Sequence, residues 1–225
     1  MIKAYWILPL VMVSACIGDD LVFDEVEPEI RIMNPIDTME INTTYQFEVV
    51  YLNNVGVEGS LTSYQWESSA EDIISIDPNG LATAIKAGTA VISVNGQDPS
   101  GKQLRDEKPV VVGNSTVVST NMRTGSLRTT SSYLLKGDFS LERITGGVKL
   151  SLKENYEAST ALPGLYVYLT NNPNTIDNAL EIGAVKVFKG AHSYDLQDVD
   201  LNQYSHVLYF CKPFRVKVGD GAFDN

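Results

Sequence analysis

Residues 204–219 read YSHVLYFCKPFRVKVG. Tyr204 to Cys211 is apolar on both faces, so a strand here must be covered on both sides, as the central strand of a sheet is. Lys212-Pro213 interrupts the run, because proline lacks an amide hydrogen and cannot extend a ladder inside a sheet. Phe214, Val216 and Val218 then alternate with Arg215 and Lys217, the period of a strand with one solvated face. The expectation is two strands joined at a tight corner, with Cys211 at that corner. The same signals run upstream. Val148, Leu150 and Leu152 alternate with Lys149, Ser151 and Lys153, Leu165, Val167 and Leu169 with Tyr166 and Tyr168, and Val185 and Val187 with Lys186. Gly146-Gly147, Pro163-Gly164 and Asn171-Asn172-Pro173 mark turns between them. Thr175 to Glu181 fits one helical turn or two. Residues 125–221 thus read as a β domain.

The first half has a similar pattern. Ile30 and Ile32 flank Arg31, and Tyr45, Phe47, Val49 and Tyr51 alternate with Gln46 and Glu48 as one strand would. Trp66, the Ile74/Ile76 pair and Ala90 to Val94 follow, separated by the turns Pro78-Asn79-Gly80 and Gly88-Thr89. Short strands with turn signals this close together predict a β-sandwich over residues 29–113. Trp66 reads as the large aromatic that fills the space between two packed sheets. Asp77 and Asp98 raise the question of calcium. Neither sits in an Asp-x-Asp-x-Asp-Gly loop, and turn acids ordinarily cap their own turn. Residues 114–124 are polar and aperiodic, a linker. The predicted fold class is therefore all-β with two domains, a sandwich followed by a second sandwich or barrel-like domain.

Charge and the N-terminus set the surroundings. The chain of 225 residues carries a formal net charge of −11. Residues 17–113 hold 5 basic and 17 acidic side chains, whereas residues 125–225 hold 10 and 11. So acidic a front half repels phosphate, which excludes nucleic acid as a partner. Lys3 followed by the short apolar run Tyr5 to Val13 is a targeting leader over residues 1–15, too short to span a bilayer. Residues 16–28 are an acidic, self-repelling tether.

Three resemblances follow from these residues. Val13-Ser14-Ala15-Cys16 resembles a bacterial lipobox, which implies lipid attachment at Cys16, a membrane partner through the acyl chains, and an outer-membrane location because residue 17 is Ile. Asp19-Asp20 resembles the acidic export tag of surface lipoproteins. Trp66 with Ser68-Ser69, Ile74 to Thr83 around Asp77 and Gly80, and Lys86 to Ala90 resemble the group-two bacterial immunoglobulin-like domain, which implies a spacer or adhesive module. Gly137-Asp138-Phe139, Gly147 to Leu150, Leu152 to Tyr156, Pro163 to Leu169, Lys189-Gly190 and Val207 to Phe214 resemble the electron-transfer DM-thirteen domain. The chain departs from that family in having Tyr156 and His192 where Phe and Gln are common. The resemblance implies a β-rich extracytoplasmic domain in which a cysteine, here Cys211, serves redox chemistry.

Cys211 is the sole cysteine left if Cys16 is lipidated, so it has no intramolecular disulfide partner. Lys212 and Arg215 would favour its thiolate, while a free cysteine is also a good small core residue. His206 lies five positions away on the same strand, an odd separation that sends the two side chains to opposite faces. His192, in the turn-rich KGAHSYDL, is a weaker candidate that reads as solvated. No zinc, c-type haem, thioredoxin, phosphate-loop or nucleophile-elbow motif occurs. No stand-alone enzyme is announced. Two readings stay open: a membrane-tethered redox accessory, with a haem or metal supplied by a redox partner, or a cell-surface binding or structural lipoprotein with Cys211 in its core.

Overall fold

The computed structural model describes residues 24–118 and 121–224. The leader and Cys16 lie outside the described residues. Among the described residues all regular structure is β, with no helix. The first module consists of β1 (Glu29–Ile32), β2 (Ile36–Glu40), β3 (Thr44–Gln46), β4 (Val49–Leu52), β5 (Ser63–Ser68), β6 (Ile74–Ile76), β7 (Leu81–Ala84), β8 (Gly88–Gln97), β9 (Gln103–Gly113) and β10 (Val117–Val118). The second consists of β11 (Met122–Thr129), β12 (Leu135–Ile144), β13 (Gly147–Leu152), β14 (Glu157–Ala158), β15 (Leu165–Thr170), β16 (Leu180–Ala184), β17 (His192–Gln197), β18 (His206–Cys211) and β19 (Val216–Ala222). Two cores sharing no residue divide the chain the same way, one drawn from Ile30 to Val112 and the other from Leu127 to Phe223.

In the first module a five-stranded sheet, β10-β2-β9-β8-β5, packs with the three-stranded β3-β7-β6 and the pair β1-β4. Trp66 on β5 is 5 % exposed, and its ring lies 5.8 Å from that of Phe47. Asp77 and Asp98 are turn caps. Asp77 Oδ1 accepts from the amides of Asn79 and Leu81, and Asp98 Oδ1 from those of Ser100 and Lys102. The run from Tyr45 to Tyr51, expected as one strand, is two. The Phe47 amide donates to Gly80 O and Glu48 O accepts from the Met33 amide, so the chain leaves one sheet there and enters another. Side-chain alternation persists across such a crossing, so periodicity alone does not reveal it.

In the second module one sheet runs β16-β15-β18-β19-β11-β12-β13-β17, with β14 against β12, and curls into an almost closed barrel. β18 is central in its half, between β15 and β19. Val207, Tyr209 and Cys211 enter the main core, while Leu208 and Phe210 join Tyr168 in a smaller cluster on the outer face. That two-sided burial is why the strand is apolar throughout. Two local expectations are corrected. Thr175 to Glu181 forms a turn closed by the Ala179 amide on Ile176 O, not a helix, and leads into β16. Val185 and Val187 follow β16 in irregular backbone, although one stays buried and the other exposed. β10 and the start of β11 fall within residues 114–124, so strand occupies part of the segment read as a linker.

The modules meet through polar groups. Arg31 of β1 donates to Asn202 O at 2.8 Å and Gln203 O at 3.3 Å, and to Asn171 Oδ1 at 3.2 Å. Asn202 Nδ2 donates back to Met33 O at 2.9 Å, and Asn174 Nδ2 to Glu25 O at 3.1 Å. Arg123 of β11 grips the same turn, donating to Tyr204 O at 2.9 Å with its guanidinium over the Phe223 ring. Burial and the neighbouring Arg31 charge bring the Arg123 guanidinium down to about 10.

Candidate functional site

Cys211 closes β18 opposite Leu165 on one side and Val216 on the other. It is 0 % exposed and unpaired. The cations beside it in sequence do not serve it. Lys212 Nζ sits 2.7 Å from Glu181 Oε2 and 4.9 Å over the Tyr166 ring, and both partners belong to the outer face of the sheet. Arg215 is exposed in the turn, in left-handed backbone with φ 51°. A thiol enclosed by apolar side chains, with its neighbouring ammonium drawn to the opposite face, has the surroundings of an inert packing cysteine.

The odd spacing of His206 and Cys211 leads to the separation it implies. Cys211 lies in the main core, and His206 has the parity of Leu208 and Phe210. Burial, with Asp220 acting in opposition, lowers the imidazole from its ordinary value. Its Nδ1 lies 2.8 Å from Ser205 Oγ.

His192 is not in a solvated turn. It opens β17, paired with Leu152, and its ring packs edge-on against Tyr156 and Tyr194 at 4.8 and 5.4 Å. Nδ1 is 3.0 Å from Gly190 O. A carbonyl only accepts, so Nδ1 carries a proton in this contact, and Nε2 is buried without a hydrogen-bond partner. Tyr156, which departs from the family pattern, and Tyr209, which no motif singles out as polar, extend this group. Tyr156 and Tyr209 are 1 % and 0 % exposed, with rings 6.0 Å apart and hydroxyls lacking partners in hydrogen-bonding geometry. Burial pushes the Tyr156 phenol up to about 12 and raises that of Tyr209 as well, so both are neutral at physiological pH. The available signal was parity. Tyr209 falls between Val207 and Cys211 on the inward face of β18, where an apolar residue is the rule.

Among the described residues no group of three or more His, Cys, Asp and Glu side chains is placed to hold a metal ion. A cleft of about 1000 Å³ opens between the modules, with Arg31, Asp106, Arg123 and Arg143 in its walls. Arg31 and Arg123 are taken up by the Leu201 to Tyr204 turn, and Asp106 by the Ile32 amide. A scan against models of known families finds no match for the chain, and a comparison with curated proteins finds none either.

Proposed function

We propose that the protein is an outer-membrane lipoprotein, anchored through a lipidated Cys16, whose two β modules do binding or structural work at the cell surface. Cys211 serves in this reading as core packing. The observation that carries it is the complete burial of Cys211 on the inner face of β18, among apolar side chains and away from the Lys212 ammonium. The polar joint between the modules supports it too, since a presenting protein gains from a fixed geometry. The lipobox, the immunoglobulin-like motifs and the DM-thirteen motifs supply the address and the module types.

The competing redox reading draws on the DM-thirteen resemblance and on the two buried phenols, Tyr156 and Tyr209, in the same core as Cys211. One preparation separates the two. The mature protein is purified, its visible spectrum and metal content recorded, and Cys211 titrated with a thiol reagent before and after denaturant. The expected result is a colourless, metal-free protein whose thiol reacts only once unfolded. A chromophore lost in Cys211→Ser, or stoichiometric labelling of the native protein, overturns the proposal in favour of redox chemistry.

A further inference from the structure

The two ends of the second module differ in character. Thr170 pairs with His206 and His206 with Ala222 at the end that meets the first module. At the opposite end the pairs are Leu165 with Cys211, Cys211 with Val216, Thr129 with Gly219 and Leu135 with Ala158. Basic side chains collect toward that far end, where Arg128, Lys136, Lys186, Lys189, Lys212 and Arg215 are all exposed. Four of these cations are ion-paired with three acids, Lys136 and Lys189 with Glu157, Lys212 with Glu181 and Arg128 with Asp220, so cations outnumber the acids that hold them.

The Lys212-Pro213-Phe214-Arg215 turn projects from this end. Phe214 is 63 % exposed, the most exposed large hydrophobic side chain among the described residues. Leu134, 44 % exposed, lies at the same end, since its loop is fixed to β19 through the Thr130 amide on Val218 O. The turn is braced. The Lys212 amide donates to Gly164 O, and the Arg215 amide to Lys212 O. A Cβ on Gly164 would stand 2.7 Å from the Pro213 ring, so the neighbouring loop packs directly beneath the tip.

We infer that this tip is a docking surface for an anionic lipid bilayer, with Phe214 entering the headgroup region and Arg215 meeting lipid phosphates while Lys212 stays paired with Glu181. Charge complementarity commits the proposal to an anionic surface, because the tip gathers exposed cations in a chain of net charge −11. An aromatic ring exposed on a braced turn beside the exposed Arg215 guanidinium has the chemistry of an interfacial anchor: the ring leaves water while the guanidinium remains at phosphate depth. The inference rests on the second module being a presenting surface. Thiol titration tests that reading and vesicle binding tests this one, so either can fail alone.

Both cores lie within residues 24–224, so the chain from residue 24 onward keeps every described contact without the leader or lipid. Its partition is measured by co-sedimentation with phosphatidylcholine vesicles, with and without roughly a quarter phosphatidylglycerol. Binding is expected only with the anionic lipid, weakening as salt rises. Phe214→Ser should lower partition roughly tenfold, and Arg215→Glu, a change of two charges, roughly thirtyfold. Lys149→Glu changes net charge equally but lies on β13, away from the tip, and should leave partition unchanged. Circular dichroism and melting temperature should match the parent for Phe214→Ser and Arg215→Glu, and circular dichroism should show Lys149→Glu folded although it loses its ion pair with Asp195. Equal partition of parent and Phe214→Ser, binding indifferent to phosphatidylglycerol, or an equal loss in Lys149→Glu overturns the inference. So does concentration-dependent self-association that Arg215→Glu abolishes, which would assign the tip to an acidic face of a second copy.

Discussion

Asp220 is a carboxylate that β19 buries almost completely, its side chain 1 % exposed. Burial alone would raise its proton affinity. Hydrogen bonds from Lys217 and from Arg128 Nε, the latter at 2.9 Å, outweigh burial and hold the carboxyl below the ordinary range. Because the folded value is the depressed one, the resulting stability is fully present above the unfolded value of about 3.9 and disappears as pH falls through the folded value. Asp220→Asn removes this contribution while leaving Arg128, largely solvated, able to bond with water. The variant should be less stable at neutral pH, and its denaturant midpoint should fall less than that of the parent between pH 5 and 3. Parallel midpoint-against-pH curves would show that Asp220 is not a source of acid sensitivity. Cys211 contrasts with it at the same scale, being fully buried in the core among apolar side chains.

At the scale of strands, β19 and β11 lie against each other through residues without side chains. A Cβ on Gly219 would stand 2.2 Å from Arg128 O and 2.7 Å from a Leu135 methyl. Gly219→Ala must therefore push two central strands apart, and overpacking of that kind costs about 1–3 kcal/mol or more. Urea unfolding of the second module should register the loss, and a wild-type midpoint would mean that the sheet relaxes freely there. The quoted stretch at residues 204–219 was legible because burial on both faces leaves a plain composition, an unbroken apolar run. The Lys212-Pro213 corner was legible because proline cannot donate to a ladder. Trp66 and the turn acids Asp77 and Asp98 were equally readable, since their roles are local. Elsewhere local signals fell short. β16 was hidden because Leu180 to Ala184 lacks a clean alternation, and Val185 to Val187 has the alternation without the ladder. His192 read as solvated because Gly190 and Ala191 look like loop, yet Leu152 fixes it in a strand and Tyr156 covers its ring. That environment is assembled from segments far apart in sequence, and no window of residues contains it.

Over the whole molecule, the two modules are joined by hydrogen bonds and not by a shared apolar core. Interfaces of this polar kind permit relative motion by default unless specific contacts fix the geometry. Here Arg31 concentrates those contacts, reaching Asn202 O, Gln203 O and Asn171 Oδ1 from a single guanidinium, while Asn202 returns a bond to Met33 O. Gly56 adds a steric condition: a Cβ there would lie 2.9 Å from the Asn171 carbonyl carbon, so the two surfaces approach at backbone distance. The orientation of the Lys212 to Arg215 turn relative to the first module depends on this joint. Arg31→Ala removes three cross-module bonds while leaving Ile30 and Ile32 to pack the first core. Each module should keep its own unfolding midpoint. The small-angle scattering profile should broaden toward extended distances, and amide relaxation should report two shorter correlation times in place of one. An unchanged profile and a single correlation time would mean that the bonds from Asn172 Nδ2 to Val55 O, Asn174 Nδ2 to Glu25 O and Asn202 Nδ2 to Met33 O suffice, and that Arg31 supports the Leu201 to Tyr204 turn without setting how the modules lie.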